Sequence, residues 1–302
     1  MRVAAIDVGT NSTRLLVGEE SQDGFRPIDR RMVITRLGEG VDRRRVLAPE
    51  ALDRALRTIA DYAATCGELG VERLRVTGTS AVRDAHNREQ FFDAVRALTG
   101  HDPELLSGEA EARLTFLGVR SDLGGGEPLL VADIGGGSTE LIAGTDEPER
   151  IVSLDMGCVR ELEKHLHSDP PSAAEIAALR ADVTARFEAV KGDLEVGPGT
   201  RLVGVAGTVS QLATLKSGLP VYDPDVVHHL VMSHGDVRVL ARRLSSLTYE
   251  QRKRVTTLEP GRADVIVAGA QILLCVMEVF DAAEILASEK DILDGLVLQL
   301  LA

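Results

Sequence analysis

Tryptophan is absent from the 302-residue chain, and only 3 Tyr and 6 Phe make up its aromatic complement. So few rings give no stacking platform for single-stranded nucleic acid. Cationic surface is also short. Against 47 Asp and Glu there are 34 Lys and Arg, a net charge of −13. A chain this acidic is repelled by DNA and by anionic membrane, so neither is expected as a partner. Any polyanion it handles must be held by local cations and metal ions. The three cysteines, Cys66, Cys158 and Cys275, are far apart and show no Cys-x-x-Cys or Cys/His metal spacing. They are expected to be free thiols in a reducing cytosol. No apolar run approaches the ~18 residues of a membrane span, and a strand begins at once with no charged-then-apolar leader. A soluble, cytoplasmic protein of two domains is expected.

What the chain does have is glycine at strand ends. Residues 128–132 form an apolar run that reads as a strand, followed by Asp133-Ile134-Gly135-Gly136-Gly137-Ser138-Thr139-Glu140 and then a second strand. Glycine permits a tight turn and lets amide N–H groups approach an anion closely. Taken alone this is equally an ordinary Gly-rich hairpin turn, because such loops are a weak signal. A second copy changes its weight. Asp7-Val8-Gly9-Thr10-Asn11-Ser12 ends an apolar strand about 126 residues earlier, with the Gly again two positions after the Asp. Two such copies imply two halves of related architecture.

Between them, helical spacing predicts helices over residues 48–67, 88–98 and 107–118, the last capped by Ser107 or Gly108. Arg83 follows a short strand, where α/β sheets bind ligands; the alternative is a surface Arg paired with Asp84 or Glu89. Glu109 and Glu111 lie in a first helical turn, favourable for a carboxylate whatever its role. Two positions apart, they do not share a face. Residues 121–127, with three consecutive glycines, read as a linker dividing a domain of residues 1–121 from one of residues 128–302. Gly207-Thr208 opens a helix after another strand, a third anion-friendly turn. The final helix, 292–301, is expected to pack back on the N-terminal domain.

Three phosphate-type turns imply a ligand with several phosphates in a cleft between domains. Backbone N–H groups of Gly9, Thr10, Asn11 and Ser12, and of Gly135, Gly136, Gly137, Ser138 and Thr139, would cradle its oxygens. Thr10, Ser12, Ser138 and Thr139 would add hydroxyl donors. Asp7, Asp133 and Glu140 would hold Mg²⁺, directly or through water. No Cys or His is placed as a nucleophile, so hydrolysis needs a base for water, and Glu111 is the best-placed carboxylate.

Together, Asp7 to Ser12, Thr79 to Ala85, Leu106-Ser107-Gly108-x-x-Glu111-Ala112, Asp133 to Glu140 and Arg262-Ala263-Asp264, in that order, resemble the exopolyphosphatase / guanosine pentaphosphate phosphohydrolase family. The resemblance spans nearly the whole chain. It implies an α/β, two-domain actin-like ATPase fold, each domain ribonuclease H-like. It also implies Mg²⁺-dependent release of the terminal phosphate from inorganic polyphosphate or guanosine pentaphosphate. The family's catalytic glutamate falls on Glu111 and its phosphate-loop acids on Asp133 and Glu140. A homodimer is implied as well. Two departures stand out. Ala110-Glu111 replaces the frequent Glu-Glu pair, and Ala302 is the last residue where long members continue into helical domains, so short polyphosphate is the expected substrate. Arg14, Arg83, Lys216 and Arg262 are candidate channel cations. An actin-fold kinase or a non-catalytic nucleotide sensor is the competing reading; a kinase would offer an Asp base in place of the Glu111 motif.

Overall fold

The computed structural model describes residues 1–22 and 24–302 and divides the chain into two units. The first comprises Met1–Gly118 and Asp291–Ala302, the second Val119–Lys290. The first unit's sheet holds β1 (Arg2–Val8), β2 (Thr13–Ser21), β3 (Gly24–Val33), β4 (Arg73–Gly78) and β5 (Glu104–Leu105), in the order β3-β2-β1-β4-β5. The first three strands form an antiparallel meander, and β4 and β5 add in parallel. Side chains alternate between sheet faces along a strand. Ala4, Ile6 and Val8 accordingly face Ile59, Tyr62, Phe91 and Val95 of helices Pro49–Glu68 and Arg88–Thr99. Val3 and Ala5 face the other way, toward Leu114, Ile292, Leu296 and Val297. By the same alternation Asp7 belongs to this second face.

That face is closed by the last helix, Ile292–Leu301. Asp291 caps it by accepting from the Leu293 N–H at 2.9 Å, and Asp294 completes a capping box. Ile292, Leu293, Leu296 and Val297 are at most 2% exposed. At about 1.5–3 kcal/mol each, their burial contributes roughly 6–12 kcal/mol, comparable with the net stability of a whole domain. The helix packs tightly because glycines meet backbone. A Cβ at Gly295 would lie 2.0 Å from the Leu114 carbonyl oxygen, and one at Gly118 2.0 Å from that of Asp291. The chain therefore crosses between units at 118/119 and 290/291, not at a single boundary near 121–128. Glycines 124–126 lie inside the second unit, the last two in a turn.

The second unit holds β6 (Leu129–Ile134), β7 (Thr139–Gly144), β8 (Pro148–Leu154), β9 (Arg201–Val205), β10 (Val231–Ser233) and β11 (Glu284–Ala287), ordered β10-β11-β9-β6-β7-β8. From β8 to β11 the order and strand senses repeat those of β3 to β5, with β10 added antiparallel at the edge. Two ribonuclease H-like sheets in one chain are the expected actin-like class. A predominantly apolar helix, Ile266–Val279, fills the core against Leu130, Ala132, Ile134, Phe187 and Leu212. β10 and helix His234–Ser246, opened by a Ser233/Asp236 capping box, lie in a stretch for which no element was expected. Among the described residues no helix is long and apolar enough to cross a membrane.

Candidate active site

Both glycine loops are closed by the same bond. The Gly9 N–H donates to the Ser12 carbonyl at 2.9 Å, and the Gly135 N–H to that of Ser138 at 3.0 Å. The strand registers also agree. Asp7 lies opposite Arg14 in the β1–β2 pair, and Asp133 opposite Glu140 in the β6–β7 pair. The repeat is therefore structural, but the partner of each Asp differs in charge.

In the first unit Asp7 is 3% exposed, and its Oδ2 accepts from Arg14 Nη2 at 2.7 Å and Nε at 3.2 Å. Arg14 also pairs with Asp291. Burial pushes the Asp7 carboxyl above its ordinary range, with Arg14 opposing. Burial acts on Asp291 in the same sense, but Arg14, Arg30 and the Leu293 N–H outweigh it and hold that carboxyl low. Asp7 is thus committed to an internal ion pair. It is a poorer metal ligand than its motif implies, and Arg14 is a structural cation rather than a channel one.

Around this loop the C-terminal ends of three strands bring the other first-unit candidates together. Val8 pairs with Gly78 of β4, and Gly78 with Leu105 of β5. Thr10 packs against residue 38, where a Cβ would lie 2.2 Å from its Cγ2 and 3.2 Å from Ala81 Cβ. Ser80 opens the short helix Ser80–Asp84. Both side-chain polar atoms of Asn11 and the hydroxyl of Ser80 are buried with no hydrogen-bond partner. Each such orphan costs about 1–3 kcal/mol, which is tolerable where a ligand supplies the missing bonds. Asn11 was expected from its loop. Ser80 was not, although it stands in a matched motif.

Glu111 sits in the first turn of Gly108–Arg120, its N–H donating to the Ser107 carbonyl at 2.9 Å, while Ser107 Oγ caps the Ala110 N–H at 3.1 Å. The two glutamates separate as their spacing required. Glu109 is 65% exposed and pairs with Arg113 at 2.9 Å; the Glu111 side chain is 13% exposed and lies 3.5 Å from Arg83 Nη1. Arg83 also donates to the Leu106 carbonyl at 2.8 Å. It holds neither Asp84, which pairs with Arg45, nor Glu89. An oriented, largely buried carboxylate beside a fixed guanidinium is an arrangement for positioning water at an anionic group.

In the second unit the loop backs onto helix Cys158–His165. The N–H groups of Cys158 and Val159 donate at 2.9 Å to the carbonyls of Gly135 and Gly136, and Arg160 Nε at 2.9 Å to that of Gly137. With these carbonyls engaged, amide N–H groups are what the loop has to offer a ligand. Asp133 and Glu140 are 8% and 1% exposed, and Glu140 Oε1 accepts from the Ser153 hydroxyl at 2.8 Å. Like charges directly across an antiparallel pair repel, and a shared divalent cation relieves that repulsion. The donor set, carboxylates only, fits Mg²⁺ and fits it here better than at Asp7.

Several expected roles move. The Thr139 hydroxyl is buried and donates to the Met156 carbonyl at 2.5 Å, so it is no phosphate donor. Thr208 is 3% exposed and faces the core, where a Cβ at residue 269 would lie 2.4 Å from its Oγ1. Gly207 is covered by Arg262, whose Nη1 would be 2.1 Å from a Cβ there. An anion at this turn would meet the Arg262 guanidinium. Lys216 lies at the far end of helix Ala206–Ser217, roughly 15 Å away at 1.5 Å per residue, held by Asp236 and the Val231 carbonyl. Cys158 is buried and its thiol is pushed up to about 11 by burial, so it is no thiolate nucleophile at neutral pH.

A family model for the Ppx/GppA phosphatase family matches residues 4–302. The chain belongs to that family. Among its relatives, Exopolyphosphatase 2 of Mycobacterium tuberculosis is 38% identical over 313 residues, covering 99% of this chain and 98% of that protein. Exopolyphosphatase 1 of Mycobacterium bovis is 33% identical, over 99% of this chain and 88% of that one. The fold agrees with the crystal structure of an exopolyphosphatase-like protein at a TM-score of 0.94, with 34% identity and 100% and 99% coverage. An exopolyphosphatase from Cytophaga hutchinsonii gives 0.91 at 25% identity, with 100% and 98% coverage. The Ppx/GppA match takes in both glycine loops, Arg83, Glu111 and Arg262.

Proposed function

We propose that this Ppx/GppA family member is an exopolyphosphatase, releasing terminal orthophosphate from inorganic polyphosphate by hydrolysis of a phosphoric anhydride bond. The observation that carries the reading is the Glu111–Arg83 pair at the sheet end that also holds Asn11 and Ser80, two buried polar side chains awaiting partners. Glu111 accepts the proton of the attacking water as it adds to the terminal phosphorus. Arg83 keeps Glu111 oriented and offsets charge on the reacting phosphoryl group. Asn11, Ser80 and the backbone N–H groups of Thr10 to Ser12 donate to phosphate oxygens. In the second unit, Asp133 and Glu140 would hold Mg²⁺, whose chemistry is to neutralise phosphate charge and the leaving oxygen. The amides of Gly136 to Ser138 and the Arg262 guanidinium are the phosphate-binding groups of the second unit. General-base action of this kind contributes about 10²–10⁴-fold.

The test is orthophosphate release from polyphosphate and from guanosine pentaphosphate, with and without Mg²⁺. Release from polyphosphate that needs Mg²⁺ supports the reading. Faster release from the nucleotide moves the assignment to a guanosine pentaphosphate phosphohydrolase, and no release from either overturns it. Homodimerisation and a cytoplasmic location belong to the same proposal, read by sedimentation and by cell fractionation.

A further inference from the structure

Helix Cys158–His165 runs from the second glycine loop to a cluster that phosphate chemistry does not use. Glu161 and His165 are four residues apart and share one helix face, and Asp182 comes from the neighbouring helix Ala173–Val190. His165 Nε2 lies 3.3 Å from Glu161 Oε2 and 3.2 Å from Asp182 Oδ2. Four ligands bonded to an ion at ~2.0–2.1 Å in a tetrahedron stand about 3.3–3.4 Å apart, so both carboxylate distances to the imidazole match an edge of such a polyhedron, and all three atoms lie within 4.8 Å of one another. A second observation is independent of that spacing. Glu161 is 0% exposed, and neither of its oxygens has a hydrogen-bond partner. A buried carboxylate without hydrogen bonds is expensive; its nearest cations are His165 and Arg186, the latter 3.9 Å away. Asp182 and His165 are 31% and 14% exposed, which leaves a route in and room for water as a fourth ligand.

We propose that Glu161, His165 and Asp182 form a binding site for a divalent first-row transition metal such as Zn²⁺, separate from the phosphate site. The imidazole donor selects against Mg²⁺ and for this class. Lys164 and Arg186 now hold Asp182 at 2.7 and 3.3 Å. Both are partly exposed, and Arg186 keeps a bond to the Asp155 carbonyl, so each can yield to the ion. Bound metal would fix the helix whose first turn holds the carbonyls of Gly135 and Gly136. The other His/carboxylate cluster, Asp122, His228 and His229, is of a different kind. There His228 Nδ1 accepts the Glu289 N–H at 3.1 Å, so Nε2 carries the proton and donates to Asp122 at 2.5 Å, where a metal would have to sit.

The experiment is competition for Zn²⁺ between the chelator-treated full-length protein and a chromophoric chelator, in millimolar Mg²⁺, with Co²⁺ absorption as a second readout. One tight site is expected. H165A and D182N, with normal circular dichroism, should each weaken it at least tenfold and remove the Co²⁺ band, while H228A leaves both unchanged. E161Q, which keeps the side-chain shape, should weaken it similarly. Wild-type protein that takes no Zn²⁺ from the chelator, equal affinity in H165A, or loss of the site in H228A would overturn the proposal.

Discussion

Gly295→Ala is expected to lower the stability of the first unit. The added methyl would stand 2.0 Å from the Leu114 carbonyl oxygen and 2.7 Å from its carbon. Those are backbone atoms of another helix and have no rotamer to escape into, so the helices must part by about 1 Å to restore an ordinary contact. Forced overpacking costs typically 1–3 kcal/mol, and a rigid backbone clash belongs at or above the upper end. Alanine's better helix propensity returns about 1 kcal/mol, leaving roughly 2 kcal/mol net destabilisation. At about 3–5 °C per kcal/mol for a unit of this size, the melting point falls by about 6–10 °C. Leu114 is three residues from Glu111 on the same helix, and a 1 Å misplacement of a catalytic group costs on the order of 10²-fold in rate. Gly67→Ala is the control. It is an exposed position in the last turn of helix Pro49–Glu68, with nothing within 4 Å of its added Cβ, so the same substitution should raise stability by up to ~1 kcal/mol. Calorimetry of both variants, with phosphate release, decides. A Gly295→Ala protein that melts at or above the wild type refutes the backbone contact.

Arg14→Ala leaves two buried carboxylates facing one another and should cost about 3–5 kcal/mol in urea unfolding; a loss within 1 kcal/mol would show that the pair contributes nothing. Asp291 is held ionised, so its contribution is complete above the ordinary carboxylate range near ~3.9 and is lost as pH falls through its lowered folded value. Asp291→Asn should therefore flatten the acid limb of a stability–pH curve, and an unchanged limb contradicts this. Glu140→Gln removes one of two facing carboxylates and should raise the Mg²⁺ concentration needed for half-maximal rate by tenfold or more; an unchanged Mg²⁺ dependence would place the ion elsewhere.

Much of this architecture could be read in the sequence because it is local. A strand, an Asp, a Gly two residues on and a hydroxyl are short-range features, and both copies fold with the same Gly-to-Ser bond. The difference between Glu109 and Glu111 followed from helical geometry alone. What escaped was set by distant partners. Asp7 looked like a ligand until Arg14 across the hairpin, itself paired with Asp291 from the far end of the chain, engaged it. Thr139 read as a phosphate hydroxyl and Thr208 as part of a phosphate-type turn, yet Met156 and residue 269 claim their faces. The last helix packs on the first unit's sheet as expected, but that its contacts make it part of that unit is set by tertiary contact alone. Glu161, His165 and Asp182 come from two helices, and only the first two are linked by a sequence period.

The central claim is that Glu111 activates water, and Glu111→Gln tests it most directly. The amide keeps the shape and removes the basic oxygen. Orthophosphate release from polyphosphate in saturating Mg²⁺ should fall by at least 10², while circular dichroism and thermal melting stay near wild type. A folded Glu111→Gln protein that turns over polyphosphate at the wild-type rate would contradict the account.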